Sequence, residues 1–264
     1  AGQVTTPRAS NMELVGYNDL QSRSAYQPVI HKQGARWIAY IGHHGGEALN
    51  PLNGKMEPNG TSIVDVSDPK RPVYLAHIPG EPKNREGEAG GASMVRVCDG
   101  SSLPHGDKSK FYLLRAYGNT AHEMWDVSNP ARPSRLNVIV SGLRDTHKNW
   151  WECDTGIAYL VSYKKSEGWR SRGVKIYDLS DPARPRYIRD FGLVGQEPGS
   201  KIEPVPQSLH GPIRLGNRVY FGYGSSNAGT MQIVDREKLL KGNPAVKDPF
   251  APTPENLHYP EISR

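Results

Sequence analysis

The 264-residue chain has only two cysteines and four phenylalanines, and aromatic residues make up 8% of it. Two cysteines allow at most one bridge, which excludes a disulfide-dense scaffold. No apolar run approaches the about 20 residues of a membrane-spanning helix, so no span is expected. No window keeps the 3.6-residue apolar period of an amphipathic helix. Basic residues do not run together: the net charge of +6 comes from 33 Lys and Arg interspersed with 27 Asp and Glu. Without a basic run or an aromatic–basic alternation, nucleic acid is not an expected partner. Sequence-local metal motifs of the HExxH and CxxC kind are missing. So are a Gly-x-Ser-x-Gly elbow and a glycine loop leading into a helix that could hold phosphate. Any chemistry must come from residues far apart in sequence.

What the chain has in quantity is punctuation, with 28 Gly and 22 Pro, and a repeat. Three octapeptides are nearly identical: Asp65-Val66-Ser67-Asp68-Pro69-Lys70-Arg71-Pro72, Asp126-Val127-Ser128-Asn129-Pro130-Ala131-Arg132-Pro133 and Asp178-Leu179-Ser180-Asp181-Pro182-Ala183-Arg184-Pro185. A fourth, eroded copy is Ile233-Val234-Asp235-Arg236-Glu237-Lys238. Recurrence at roughly 50 residues marks repeated supersecondary units. A β-rich run precedes each octapeptide and another follows it, as in Val174-Lys175-Ile176-Tyr177 and Tyr187-Ile188-Arg189-Asp190-Phe191. The motif therefore predicts a hairpin turn, in which Asp and Ser accept backbone N–H groups and Pro ends the ladder. Two further short apolar runs lie upstream, giving four strands per unit. That predicts an all-β fold, a β-propeller of four-stranded antiparallel blades. A solenoid is the rival, with usually shorter repeats. The blades are expected at 12–78, 91–142, 147–193 and 210–245, after an N-terminal extension, 1–11.

These octapeptides, each preceded by Ile-Val or a similar pair, resemble the LVIVD-repeat β-propeller proteins of bacteria. The resemblance covers about 12–245. It implies an exported propeller, periplasmic or extracellular, and brings no catalytic motif. The fourth unit departs from it where Arg236-Glu237 replaces the Ser-Asp/Pro part.

Residues 246–264 read as a Pro-rich connection, and Glu255-Asn256-Leu257-His258-Tyr259 as the lead into a further blade. The expectation is four blades of a six- to eight-bladed ring, completed by further polypeptide or a second chain, with a closed four-bladed ring as the alternative. The start at Ala1-Gly2-Gln3 fits a processed, exported chain and equally a cut end. Cys98 and Cys153 fall at similar places in neighbouring units. A disulfide between blades and two free thiols both stay open.

Propeller topology sorts the histidines. Starts of the innermost strands share a face with the connections between second and third strands. His43, His44, His122, His147 and His210 all fall on that face. Imidazoles from separate blades can hold Cu, Zn or Fe, with His147 and His210 as core ligands and Glu123 and Asp145 fixing tautomers. Capping and ordinary loop hydrogen bonds explain the same histidines without metal. Arg115, Arg144 and Trp169 belong to a basic, aromatic-bearing rim on this face suited to a small polar or anionic ligand. Two functions follow. One is a ligand or metal site at the channel mouth, with redox or lyase/hydrolase chemistry on a small polar substrate if it is catalytic. The other is a non-catalytic scaffold for a protein or cell-envelope partner.

Overall fold

In the computed structural model, which describes residues 10–82, 90–92, 94–224 and 229–264, the three octapeptides fold alike. Asp65, Asp126 and Asp178 accept the backbone N–H two residues on, at 2.9, 3.0 and 2.9 Å. Asp68, Asn129 and Asp181 accept from Lys70, Ala131 and Ala183 in the same way. Their carbonyls accept the N–H of Arg71, Arg132 and Arg184 at 3.0, 2.9 and 3.0 Å. Two successive Asx turns thus close each hairpin.

Among the described residues these hairpins build four four-stranded antiparallel sheets, each running in chain order. The first holds β1 (Tyr26–Gln33) and β2 (Arg36–Gly42). A separate hairpin of β3 (Glu47–Asn50) and β4 (Lys55–Pro58) intervenes before β5 (Thr61–Asp65) and β6 (Val73–Ile78) complete it. The second holds β7 (Val95–Asp99), β8 (Phe111–Tyr117), β9 (Ala121–Asp126) and β10 (Ser134–Ser141). The third holds β11 (Trp150–Trp151), β12 (Ile157–Ser162), β13 (Gly173–Asp178) and β14 (Arg186–Phe191). The fourth holds β15 (Leu209–Leu215), β16 (Arg218–Tyr223), β17 (Thr230–Asp235) and β18 (Glu261–Ser263). This all-β arrangement is consistent with propeller blades.

One expectation is corrected here. Residues 255–264 do not begin a further blade, because β18 pairs with β17 and completes the fourth sheet. The eroded motif accounts for the long detour. Asp235 no longer has Ser and Pro behind it to make the tight turn. It caps α1 (Arg236–Lys241) instead, accepting from the Lys238 N–H at 3.0 Å. A second short helix, α2 (Pro254–His258), starts with Pro in its first turn and Thr253 as its cap. The buried Arg189 guanidinium ties both helices down by donating to the carbonyls of Leu239 and Asn256.

Successive sheets pack face to face through apolar clusters. Ile38, Tyr40 and Ile63 meet Val95, Val97 and Leu113 between the first two sheets. Leu114 and Met124 meet Trp151, Leu160 and Leu179 between the second and third. Tyr159, Val161, Ile176 and Phe191 meet Leu209, Phe221 and Val234 between the third and fourth. Each such side chain, fully buried, contributes about 1.5–3 kcal/mol. Cys98 of β7 and Cys153, just after β11, form a disulfide between the second and third sheets, with Cα atoms 5.5 Å apart.

The repeat extends into an irregularity. In each four-stranded sheet the register slips between third and fourth strands, leaving an extra residue on the fourth at Leu75, Leu136, Ile188 and Ile262, and the second sheet has a further slip at Ile139. The first three pack into the cluster shared with the following sheet. Ile262 is 52% exposed, and Ile213, Leu215 and Met231 of the same sheet are exposed too.

Candidate functional site

The first strands of the four sheets, β1, β7, β11 and β15, converge on a cavity of ≈ 320 Å³. Gln27, Arg96, Trp150 and His210 come from these strands, and Lys148 and Asn149 lie just ahead of β11. Alternation explains Arg96. Its neighbours Val95 and Val97 are buried in the cluster against the first sheet, so Arg96 faces the other way. Its Nε donates to the Asn149 carbonyl at 3.2 Å, and the guanidinium lies 5.0 Å from the Trp150 ring centre. Burial lowers its pKa, and no carboxylate among the described residues opposes that shift. The Lys148 ammonium lies 5.6 Å from the Tyr26 ring centre. Gly211 makes room for the Lys148 stem: a Cβ there would sit 3.0 Å from the Lys148 Cβ. Asn149 is fully buried, and among the described residues neither its amide nitrogen nor its amide oxygen has a hydrogen-bond partner. No carboxylate occurs among the described lining residues.

The structure brings His147 and His210 together, with ring centres 4.9 Å apart and planes at 21°. Burial, then the charges of Arg172, His210, Lys148 and His44, push the His147 pKa down to about 3. His44 packs on Tyr26 at 4.7 Å. Its Nε2 is buried with no partner among the described residues. His43 and His122 are placed otherwise. His43 donates from Nδ1 to the Ser24 carbonyl (2.5 Å) and accepts at Nε2 from the Ser62 hydroxyl (2.7 Å), which leaves no lone pair for a metal. His122 is fully buried in the second sheet, with the Val161 carbonyl of the third as its polar neighbour. Burial lowers both imidazoles to about 4. The five histidines therefore do not converge. Among the described residues, no three His, Cys, Asp or Glu side chains are placed to hold a metal ion.

The expected rim also dissolves. Arg115 and Glu123 are buried and spend their charges on each other at 2.9 Å. Arg115 further donates to the carbonyls of Ile78 and Pro79, tying the second sheet to the end of the first. Trp169 is buried in the cluster between the third and fourth sheets. Arg144 and Asp145 are exposed, Arg144 exchanging backbone hydrogen bonds with Tyr163, and neither lines the cavity. The sequence reading missed Arg96, Lys148 and Asn149. They sit on or beside first strands, the same placing rule that singled out His147 and His210, and only the restriction to metal-ligating residues hid them.

Neither a protein-family model nor a curated protein sequence matches this chain. Solved structures similar to it include a hypothetical selenium-binding protein from Sulfolobus tokodaii, with 13% identity and a TM-score of 0.49 over 84% of this chain and 52% of that one. A β-1,2-mannobiose phosphorylase from Listeria innocua has 12% identity and a TM-score of 0.41 over 82% and 60%. A GH43 endo-arabinanase from Bacillus licheniformis has 10% and 0.44 over 86% and 77%. The chain thus spans about half to three fifths of the first two. At these identities the likeness concerns fold alone, and no activity carries over.

Proposed function

We propose that this chain forms blades of a β-propeller whose axial cavity binds a small anionic ligand. The observation that carries the reading is Arg96, a partly buried guanidinium with no carboxylate partner among the described residues, held against Trp150 at the cavity wall. Taking an unpaired cation out of water is costly unless an anion completes it. Lys148 adds a second positive charge on the same wall. Titrating the chain with acetate and with sulfate while following tryptophan emission tests the reading, because Trp150 lies under the guanidinium. Saturable change in the wild type and its loss in Arg96→Gln are expected. An unsaturable response, or one that survives the substitution, contradicts it.

A second reading keeps the metal. His147 is neutral at physiological pH, the form that ligates, and His210 stacks on it. Copper, zinc or iron held here would have to part the stacked rings, since ligand bonds lie near the imidazole plane at about 2 Å. Metal analysis of the purified chain, with and without His210→Ala, tests this reading.

The larger ring and the exported location belong to the same proposal. The bulged residues of three sheets pack toward a following sheet, and Ile262 of the fourth is left exposed, which supports a further blade against that face. The disulfide supports an oxidising compartment, periplasmic or extracellular.

A further inference from the structure

The geometry points to redox control of this cavity, an inference that rests on the anion-binding reading above: the Cys98–Cys153 disulfide sets Arg96 against Trp150, so the anion site forms only in the oxidised chain. Side chains alternate along a strand. Val95 and Val97 face the first sheet, so Arg96 and Cys98 share the other side of β7, toward the third sheet. Both reach the same stretch of chain there. Arg96 donates to the Asn149 carbonyl and lies over the Trp150 ring, and Cys98 is bonded to Cys153. The guanidinium and the disulfide are neighbouring links between one pair of segments.

The third sheet holds its own part of that pair by a short ladder. β11 has two residues, Trp150 and Trp151, paired with Tyr159 and Ala158. The other first strands, β1, β7 and β15, have eight, five and seven. Beyond the ladder, the His147 N–H donates to the Val161 carbonyl at 3.1 Å and the Glu152 N–H to the Ile157 carbonyl at 2.9 Å. Yet this stretch supplies Lys148, Asn149 and Trp150 to the cavity. So short a ladder opens locally at low cost unless something else ties it down. Trp151 packs in the cluster between the second and third sheets. Apolar packing is non-directional and keeps the stretch near β7, whereas the covalent bond fixes where along β7 it lies.

Arg96 is sensitive to that placement, because a guanidinium presents its donors in a rigid fork and hydrogen bonds weaken steeply with angle and distance. A dithiol supplies the reducing electrons. Its thiolate attacks the sulfur of Cys153, which is half-buried, whereas Cys98 is sealed. The S–S bond breaks, and Cys98 leaves as a thiolate and takes up a proton. The second sulfur of the dithiol then displaces Cys153 in the same way. Two electrons have passed, both cysteines are thiols, and the dithiol has become its disulfide. With the bond gone, the 147–153 stretch slides along β7 and the guanidinium loses its fixed place over Trp150.

Calorimetric titration with sulfate at constant ionic strength and pH 7.5 tests this on the 264-residue chain in three states: oxidised, reduced with dithiothreitol, and reoxidised. Reduction is expected to weaken sulfate binding at least about tenfold, a difference of about 1.4 kcal/mol. Reoxidation restores it, and the double variant Cys98→Ala, Cys153→Ala behaves as the reduced chain does. Hydrogen exchange separates positioning from general stability. Faster exchange is expected at 95–98 and 147–153 in the reduced chain, with β16 and β17 unchanged. Equal affinity in the oxidised chain and in a chain shown by mass to be fully reduced overturns the inference and leaves the anion site standing. Loss of binding with exchange accelerated in all four sheets also overturns it, because the bridge then only keeps the chain folded. No saturable heat in the oxidised chain overturns this inference and the anion-binding reading together.

Discussion

Four imidazoles are held neutral by their surroundings. Burial lowers His43, His77 and His122 to about 4 and, with nearby cations, His147 to about 3. Unfolded, each titrates near 6.5. Between about 6.5 and 4 the unfolded chain therefore binds more protons than the folded one. Stability is fully present above 6.5 and is lost as pH falls through that window, by at most about 1.4 kcal/mol per group per pH unit. A melting temperature that falls steadily from pH 7 to 4.5 is expected in circular dichroism, and a flat profile would contradict the burial of these rings. The Arg115–Glu123 pair gives a second expectation. Glu123→Ala strands a buried guanidinium, which costs about 3–5 kcal/mol. Urea unfolding should show that loss, while acetate binding at the cavity persists in the folded fraction. Loss of binding without loss of stability would restore Arg115 to the rim role read from the sequence.

The hairpin is where sequence and structure agree in most detail. Turn chemistry is local: Asp, Ser and Asn bond to backbone two residues away, so an eight-residue motif suffices to place the hairpin. The same local logic shows why the fourth copy fails as a turn, since Asp235 keeps its capping role and loses the partners that reverse the chain. What local chemistry does not encode is the partner strand of 261–263, found only after a long detour, and that is why those residues read as a new blade. The β3–β4 insert escaped notice for the converse reason, being polar and short. Gly156 shows how tightly a turn can be tied to the repeat. Its φ is +80°, and a Cβ would lie 2.3 Å from the Ser180 Cα of the third octapeptide. Gly156→Ala is expected to cost at least about 2 kcal/mol, through backbone strain and displacement of the turn. A change under about 0.5 kcal/mol in urea unfolding would show that the turn shifts freely.

At the scale of the whole molecule, the sheets are held in order by apolar clusters and one disulfide. The bridge spans 55 residues, and closing a loop of that size stabilises by about 2–4 kcal/mol. A reductant should lower the melting temperature by several degrees, and alanine at both cysteines should mimic it. Unchanged melting would mean that the second and third sheets hold without the bridge. The exposed face of the fourth sheet gives another outcome. Glu at both Ile213 and Ile262 should reduce binding of a hydrophobic dye to the 264-residue chain, and unchanged dye binding would remove the case for a blade docking there. The cavity itself was half legible. Topology alone places first strands around an axis, but the pairing of charges depends on distances that sequence does not carry. Arg115 and Glu123 looked available and are spent on each other, whereas Arg96 looked like one strand residue among many and has no carboxylate partner among the described residues. The most direct measurement is a crystal structure of the chain grown in selenate, with anomalous scattering used to find the anion. The account predicts a selenium peak inside the axial cavity, with selenate oxygens about 3 Å from the Arg96 terminal nitrogens. Peaks confined to the outer surface, with that cavity empty, would contradict it.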